Sequence, residues 1–239
     1  MGRGAPKPRH APIPLPELRQ RIAEKIGSAL NPIGFGLPSK RFDIWARYRA
    51  PNVVDLAGVN FVQSNASNGM LQISIVCALH LPVIEKIYCH FAGGIYRLQS
   101  GTAGGQLYLA YPKEKLPTAW YFWTTAYSEE AMQMIIDQII DYGLPLLEEV
   151  TDYETLLSHP FLSKNISTSK RAILLALTGC TAEAQDLLEQ AVNENEQLRS
   201  RYAGDGVQEE IPEWKAHAGI LQSLKSNQFE QLMESMVAG

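Results

Sequence analysis

The sequence predicts an α+β fold, and three observations predict it. A four-residue apolar repeat lies near the N-terminus, a two-residue alternation follows it, and the last third of the chain returns to helical periodicity. The expected architecture is an N-terminal helix, an antiparallel β-meander sheet covered by a long helix, then a C-terminal helical hairpin. The expected division is a flexible Pro-rich tail over 1–14, an α+β domain over 15–160 and an all-helical C-terminal subdomain over 161–239.

The first helix is expected over 15–30, where Leu18, Ile22, Ile26 and Leu30 recur on one face. Pro16 fits a first turn, and Asn31-Pro32 should end the helix because the residue before proline avoids helical geometry. Gly34 and Gly36 then bracket Phe35, which suits a tight reversal anchored by a buried ring. In 42–48, Phe42, Ile44, Ala46 and Tyr48 alternate with Asp43, Trp45 and Arg47, as expected of a strand with an apolar inner face and a polar outer one. Runs over 57–63 and 71–79 continue the meander, with Asn65 to Gly69 as the turn between them. From Pro82 to Pro117 the pattern weakens; 95–98 and 106–111 are candidate strands, and the aromatic stretch 118–125 is a candidate closing strand.

Ser128 should cap a helix running through Ile135, Ile136, Ile139 and Ile140 to a glycine cap at Gly143. Short helical pieces are expected over 144–147 and 152–157. Helices are then expected over 170–178 and from Thr181 onward, hinged at Gly179-Cys180, with Gly204-Asp-Gly206 and Pro212 setting off a last helix over 214–236. The small residues Ala176, Gly179, Ala184 and Ala191 suit one hairpin of close-packed helices, and no repeat of the pattern extends it into an array.

Composition narrows the functional classes. At 239 residues, with 46% hydrophobic and 19% charged residues, the chain can bury a sizeable core. The net charge of −4 leaves no basic footprint, which disfavours nucleic acid as a partner. Three cysteines without CxxC spacing point to reduced thiols in the cytoplasm, and no apolar run is long enough to cross a bilayer. The start of the chain, basic but lacking an apolar stretch behind it, does not read as a secretory signal.

The segment Leu30-Asn-Pro-Ile-Gly-Phe35, the following Arg41-Phe42, the strand end Val62-Gln63-Ser64 and the late Tyr142-Gly-Leu-Pro-Leu-Leu147 together resemble the domain-of-unknown-function 4304 family of mostly bacterial proteins. The resemblance covers about 15–157. It implies an α+β architecture and carries no catalytic motif, so it leaves function open.

The residues themselves present no catalytic constellation. His80, Glu85 and His90 could be imagined around a metal, but their spacing fits neither a zincin helix nor a zinc finger, and no cofactor or metal is expected. Cys89 and His90 are adjacent, and on a strand would point to opposite faces. The candidate binding face comprises Trp45, Arg47 and Arg49, with Asn60, Gln63 and Arg97 on neighbouring strands; Trp and Arg are enriched at binding hot spots. The same pattern also fits an ordinary solvated sheet face with arginine stems over a tryptophan. The reading that follows is a non-catalytic protein-interaction protein, an antitoxin or immunity-type partner being one form of it, with another protein as its partner. The alternative is a small-ligand or hydrolytic pocket between the sheet and helix 128–142 that uses His80, His90 or Cys89 with Arg97. Self-association through the helical tail has no specific sign.

Overall fold

A computed structural model describes residues 12–36, 43–62, 69–98, 100–112, 114–202 and 211–238. The expected features at Arg41, Phe42, Gln63, Ser64, most of the 65–69 turn, the glycines at 204 and 206 and most of the Pro-rich tail lie outside these residues. The fold is α+β: an N-terminal helix, a five-stranded antiparallel sheet, then helices that end in a C-terminal pair.

Helix α1, Leu15–Leu30, forms where its apolar repeat predicts it, with Leu18, Ile22, Ile26 and Leu30 wholly buried. It ends in a 3-10 turn over Asn31–Ile33 and in Gly34, whose φ of 91° is left-handed and therefore suits glycine. Phe35 is buried behind that turn, as expected. Strands β1 (Ile44–Ala50), β2 (Val53–Val62) and β3 (Met70–His80) follow as a meander. The sheet order is β1-β2-β3-β4, with β4 at Ala103–Gln106, and β5 (Trp120–Trp123) also pairs with β3. The aromatic stretch is thus a closing strand, in the register Met70↔Trp123, Leu71↔Phe122, Gln72↔Tyr121 and Ile73↔Trp120.

Other expectations between β3 and β5 fail. Residues 82–92 form helix α2, Pro82–Ala92, which starts on proline and ends at the left-handed Gly93. Residues 95–98 are irregular, and 107–110 form a 3-10 turn in place of a strand. Helix α3, Glu129–Gln138, has its expected cap: the Ser128 hydroxyl accepts the Ala131 amide at 3.1 Å. Gly143, however, does not end it. The helix widens into a π turn over Ile139–Gly143 and continues as α4, Leu144–Glu148. Pro145 lacks an amide hydrogen and crowds the preceding turn, and the π turn relieves both.

Helices α5 (Tyr153–Ser158), α6 (Thr168–Leu177) and α7 (Thr181–Tyr202) come next, with the hinge at Gly179 in left-handed geometry at φ 81°. The last expected helix is two, α8 (Pro212–Lys225) and α9 (Phe229–Ala238), separated at Asn227, which adopts φ 55°. Asparagine tolerates that conformation because its short polar side chain can bond locally.

The chain divides into two compact units interleaved in sequence. The first comprises Met1–Tyr48, Leu56–Cys77 and Gly105–Leu147; the second comprises Arg49–Asp55, Ala78–Gly104 and Glu148–Gly239. Within the first, α1 packs beside α3, Trp45 lies against Gly27, and Gly143 lies against Cys77. Within the second, α2 packs on α6, α8 and α9, and α7 lies against α6 and α8.

Candidate functional site

In the first unit, β1 buries Trp45, which the alternation put on the outer face, and exposes Tyr48, while Ala46 stays buried as expected. Trp45 is buried to 1% exposure, while Tyr48 is 67% exposed. Burying an indole of this size removes on the order of 150–250 Å² from water, and no other side chain of the strand has as much to gain. Arg47 follows Trp45 inward only in part, its guanidinium 5.0 Å from the centre of the Phe35 ring. Asp43, also on this side, pairs with Arg19 of α1 at 3.0 Å. The expected outward Arg/Trp face is therefore corrected: Trp45 is core, and Arg47 covers an aromatic ring.

Arg49 belongs to the second unit. Its Nη1 donates to the Val150 carbonyl oxygen at 2.7 Å, and its Nη2 lies 3.3 Å from the Asp55 carboxylate, which is wholly buried. Its charge is spent inside the fold. Asn60 is exposed on β2, Arg97 is exposed in the irregular segment after α2, and Gln63 lies outside the described residues. With Trp45 buried and Arg49 engaged internally, the described members of this set do not present one exposed face.

The aromatic surface that is exposed lies elsewhere in the first unit. β5 is a short strand on the edge of β3, and among the described residues no strand pairs with its other side. The register puts Trp123 beside Met70 and Tyr121 beside Gln72 on one face, and Phe122 beside Leu71 on the other. Phe122 is buried, whereas Tyr121 is 55% and Trp123 45% exposed. The tryptophan and tyrosine side chains combine large apolar area with a polar tip, the composition enriched at contact surfaces. The sequence contained this signal as four consecutive aromatics in 120–123, but only the pairing partner could say which of them face out.

The second unit holds a buried polar chain that sequence reasoning missed. Glu85 of α2 is 2% exposed; it accepts the Thr102 hydroxyl at 2.7 Å and pairs with Lys170 of α6 at 2.8 Å. Thr102 in turn accepts the Leu81 amide at 2.9 Å, and Lys170 also donates to the Gly101 carbonyl oxygen at 3.1 Å. Burial raises the Glu85 pKa, against the opposing pull of Lys170 and Thr102.

Glu213 of α8 forms a second node. It accepts the Ser169 amide at 3.2 Å and shares a hydrogen bond with Tyr88. His217 Nε2 stands 3.3 Å from the same carboxylate. Burial alone would raise the Glu213 pKa, but His217, Ser169 and Tyr88 outweigh it and hold it to about 2. For Tyr88, burial and the Glu213 charge both push the phenol upward. The chain joins α2, α6, α7 and α8, with Asn195 of α7 reached through His217 Nδ1 at 3.0 Å.

The expected reactive trio does not converge. His80 is buried, its two ring nitrogens bonded to the Ser100 carbonyl oxygen and the Tyr96 hydroxyl, each at 2.7 Å, and burial lowers its pKa. Cys89 is half-buried on α2, where burial raises its thiol pKa away from the reactive thiolate. His90 is exposed and lies edge-on to Phe91. Among the described residues no group of His, Cys, Asp and Glu could hold a metal ion, and no helix is long and apolar enough to cross a membrane. No family model, curated protein or solved structure matches this chain.

Proposed function

We propose that the chain is a non-catalytic interaction protein that binds another protein through the outer face of β3 and β5. The exposure of Tyr121 and Trp123 on an edge strand carries this reading. Two large aromatics on one face of a rigid sheet, flanked by Met70 and Gln72, supply contact area at little conformational cost, because each ring has only two rotatable bonds. In the second unit, Glu85, Lys170 and Glu213 are already engaged with one another's neighbours. An immunity-type role in a bacterial cytoplasm, in which the chain covers a toxin's site, is one form of this reading and rests on analogy. The resemblance to the domain-of-unknown-function 4304 family belongs to the same proposal.

The test is a photo-crosslinking residue placed at Gln72 in the source cells, with a second placed at Gln133 on the exposed side of α3. The reading expects one stoichiometric adduct from position 72, none from position 133, and loss of that adduct in the Tyr121→Ser/Trp123→Ser variant. An adduct that survives the double substitution, or equal labelling from both positions, refutes it.

A further inference from the structure

The outer face of β3 and β5 is built without charge. The sequence has no Asp, Glu, Lys or Arg over 56–84 or over 116–128, in a chain of which 19% is charged. Both strands and the stretches that flank them fall inside these two ranges. They offer no ionic contact to a phosphate backbone or to an acidic or basic peptide. The face does present polar tips. Among the described residues, none is hydrogen-bonded to the Trp123 indole, the Tyr121 hydroxyl or the Gln72 amide.

The geometry narrows the occupant further. Tyr121 and Trp123 are two residues apart on one strand, so their Cα atoms are about 7 Å apart. The register seats Met70 beside Trp123 and Gln72 beside Tyr121, and one short segment can lie across all four. A peptide on the face of a sheet cannot exchange backbone hydrogen bonds with it, because the sheet's own N–H and C=O groups point sideways to neighbouring strands. Each ordinary residue pressed onto the rings would bring an N–H without an acceptor, at about 1–3 kcal/mol. Proline brings no N–H. A polyproline II segment needs no backbone partner and is ordered before it binds. Its carbonyl oxygens accept, which suits Trp123, whose indole can only donate. The end of β5 already holds a segment of this kind. Ile13, between Pro12 and Pro14, donates its amide to the Thr124 carbonyl oxygen at 2.8 Å, one residue beyond Trp123. Pro14 itself, at φ −55° and ψ 139°, is in the polyproline II region.

We infer that the β3–β5 face docks an uncharged proline-rich segment of the partner protein as a polyproline II helix. Its prolines pack on the Tyr121 and Trp123 rings, and one of its carbonyl oxygens accepts the Trp123 N–H. This rests on the interaction surface proposed above and names the chemistry of its occupant.

Two-dimensional ¹⁵N NMR of the full chain resolves the four indole N–H groups, and Trp123→Phe assigns the Trp123 signal. The probes are decaproline with blocked ends, a blocked Gly-Ser decapeptide, maltohexaose and an oligothymidylate. The expected result is a saturable shift of the Trp123 signal with decaproline, while Trp45 and Trp214 stay fixed. Tyr121→Ser should weaken binding about tenfold, the scale of one aromatic contact. The milder Gln72→Ala should weaken it several-fold, with helical circular dichroism unchanged in both variants. The inference is overturned by no saturable shift with decaproline, by an equal shift with the Gly-Ser peptide, or by tighter binding of maltohexaose or the oligothymidylate. A Trp123 signal that moves with protein concentration alone, and that decaproline does not displace, also overturns it, because a second copy then covers the face. A crosslinked adduct from position 72 beside a failed decaproline titration refutes this inference and leaves the surface standing; failure of both removes both.

Discussion

Gly143 shows how a single atom can fix a helix to a sheet. A Cβ at this position would stand 2.5 Å from the Cys77 sulfur, a separation that real Cβ contacts do not reach. The absent side chain lets the π turn settle directly on β3. Gly143→Ala should therefore destabilise the protein by about 1–3 kcal/mol through overpacking. In a Cys77→Ala background the sulfur is gone, and the same substitution should be close to neutral. Urea unfolding of the four proteins of this cycle measures the coupling; equal losses in both backgrounds would show that the sulfur contact is not the cause. The sequence names Gly143 but assigns it the commoner duty of a helix cap, because only the neighbour across the interface distinguishes a cap from a close approach. Trp45 teaches a similar lesson. Alternation in β1 is legible, yet each of its faces mixes large and polar residues, so the sequence does not decide which turns inward. The indole's apolar area decides it, and the Arg47 stem and guanidinium follow over Phe35.

At the scale of elements, α1, α3 and the meander were readable because each repeats one period over enough residues to exclude the other. α2 was not. It follows β3 after a single residue, so the apolar run from Ile75 to Ile84 blurs a strand into a helix. Its start has no side-chain cap, and its remaining signals are Pro82, Glu85 in the first turn and the left-handed Gly93 at its end. Glu85 also carries the tie between α2 and α6. Lys170→Met would leave that buried carboxyl with the Thr102 hydroxyl but without its cation, a loss expected at roughly 3 kcal/mol near pH 7. The folded Glu85 pKa is already raised, and removing Lys170 raises it further, so in acid the carboxyl takes a proton and needs no cation. Denaturant titrations should accordingly find Lys170→Met much less damaging near pH 4 than near pH 7. The same deficit at both values would mean that Lys170 acts through its aliphatic stem alone.

For the molecule as a whole, buried Glu85 and part-exposed Glu213 set opposite pH responses. Glu213 has a folded pKa of about 2 against an ordinary value of 4.5, so the folded state binds its proton less readily than the unfolded one. Its contribution to stability is complete above pH 4.5 and is lost as pH falls from 4.5 through about 2. Glu85 works the other way: its raised pKa favours the protonated folded state, so its contribution is present below pH 4.5 and is lost as pH rises through the shifted value. Both opposing contributions enter the acid limb of the stability profile. Glu213→Gln removes the first and keeps the second. That variant should be less stable than the parent at pH 7, and the gap should narrow steadily from pH 4.5 to pH 2, where the parent's carboxyl is itself protonated. Thermal unfolding followed by helical circular dichroism across this range reads the gap directly. Curves that fall in parallel would place the acid sensitivity in other carboxylates and leave the Glu213 node with a packing role only.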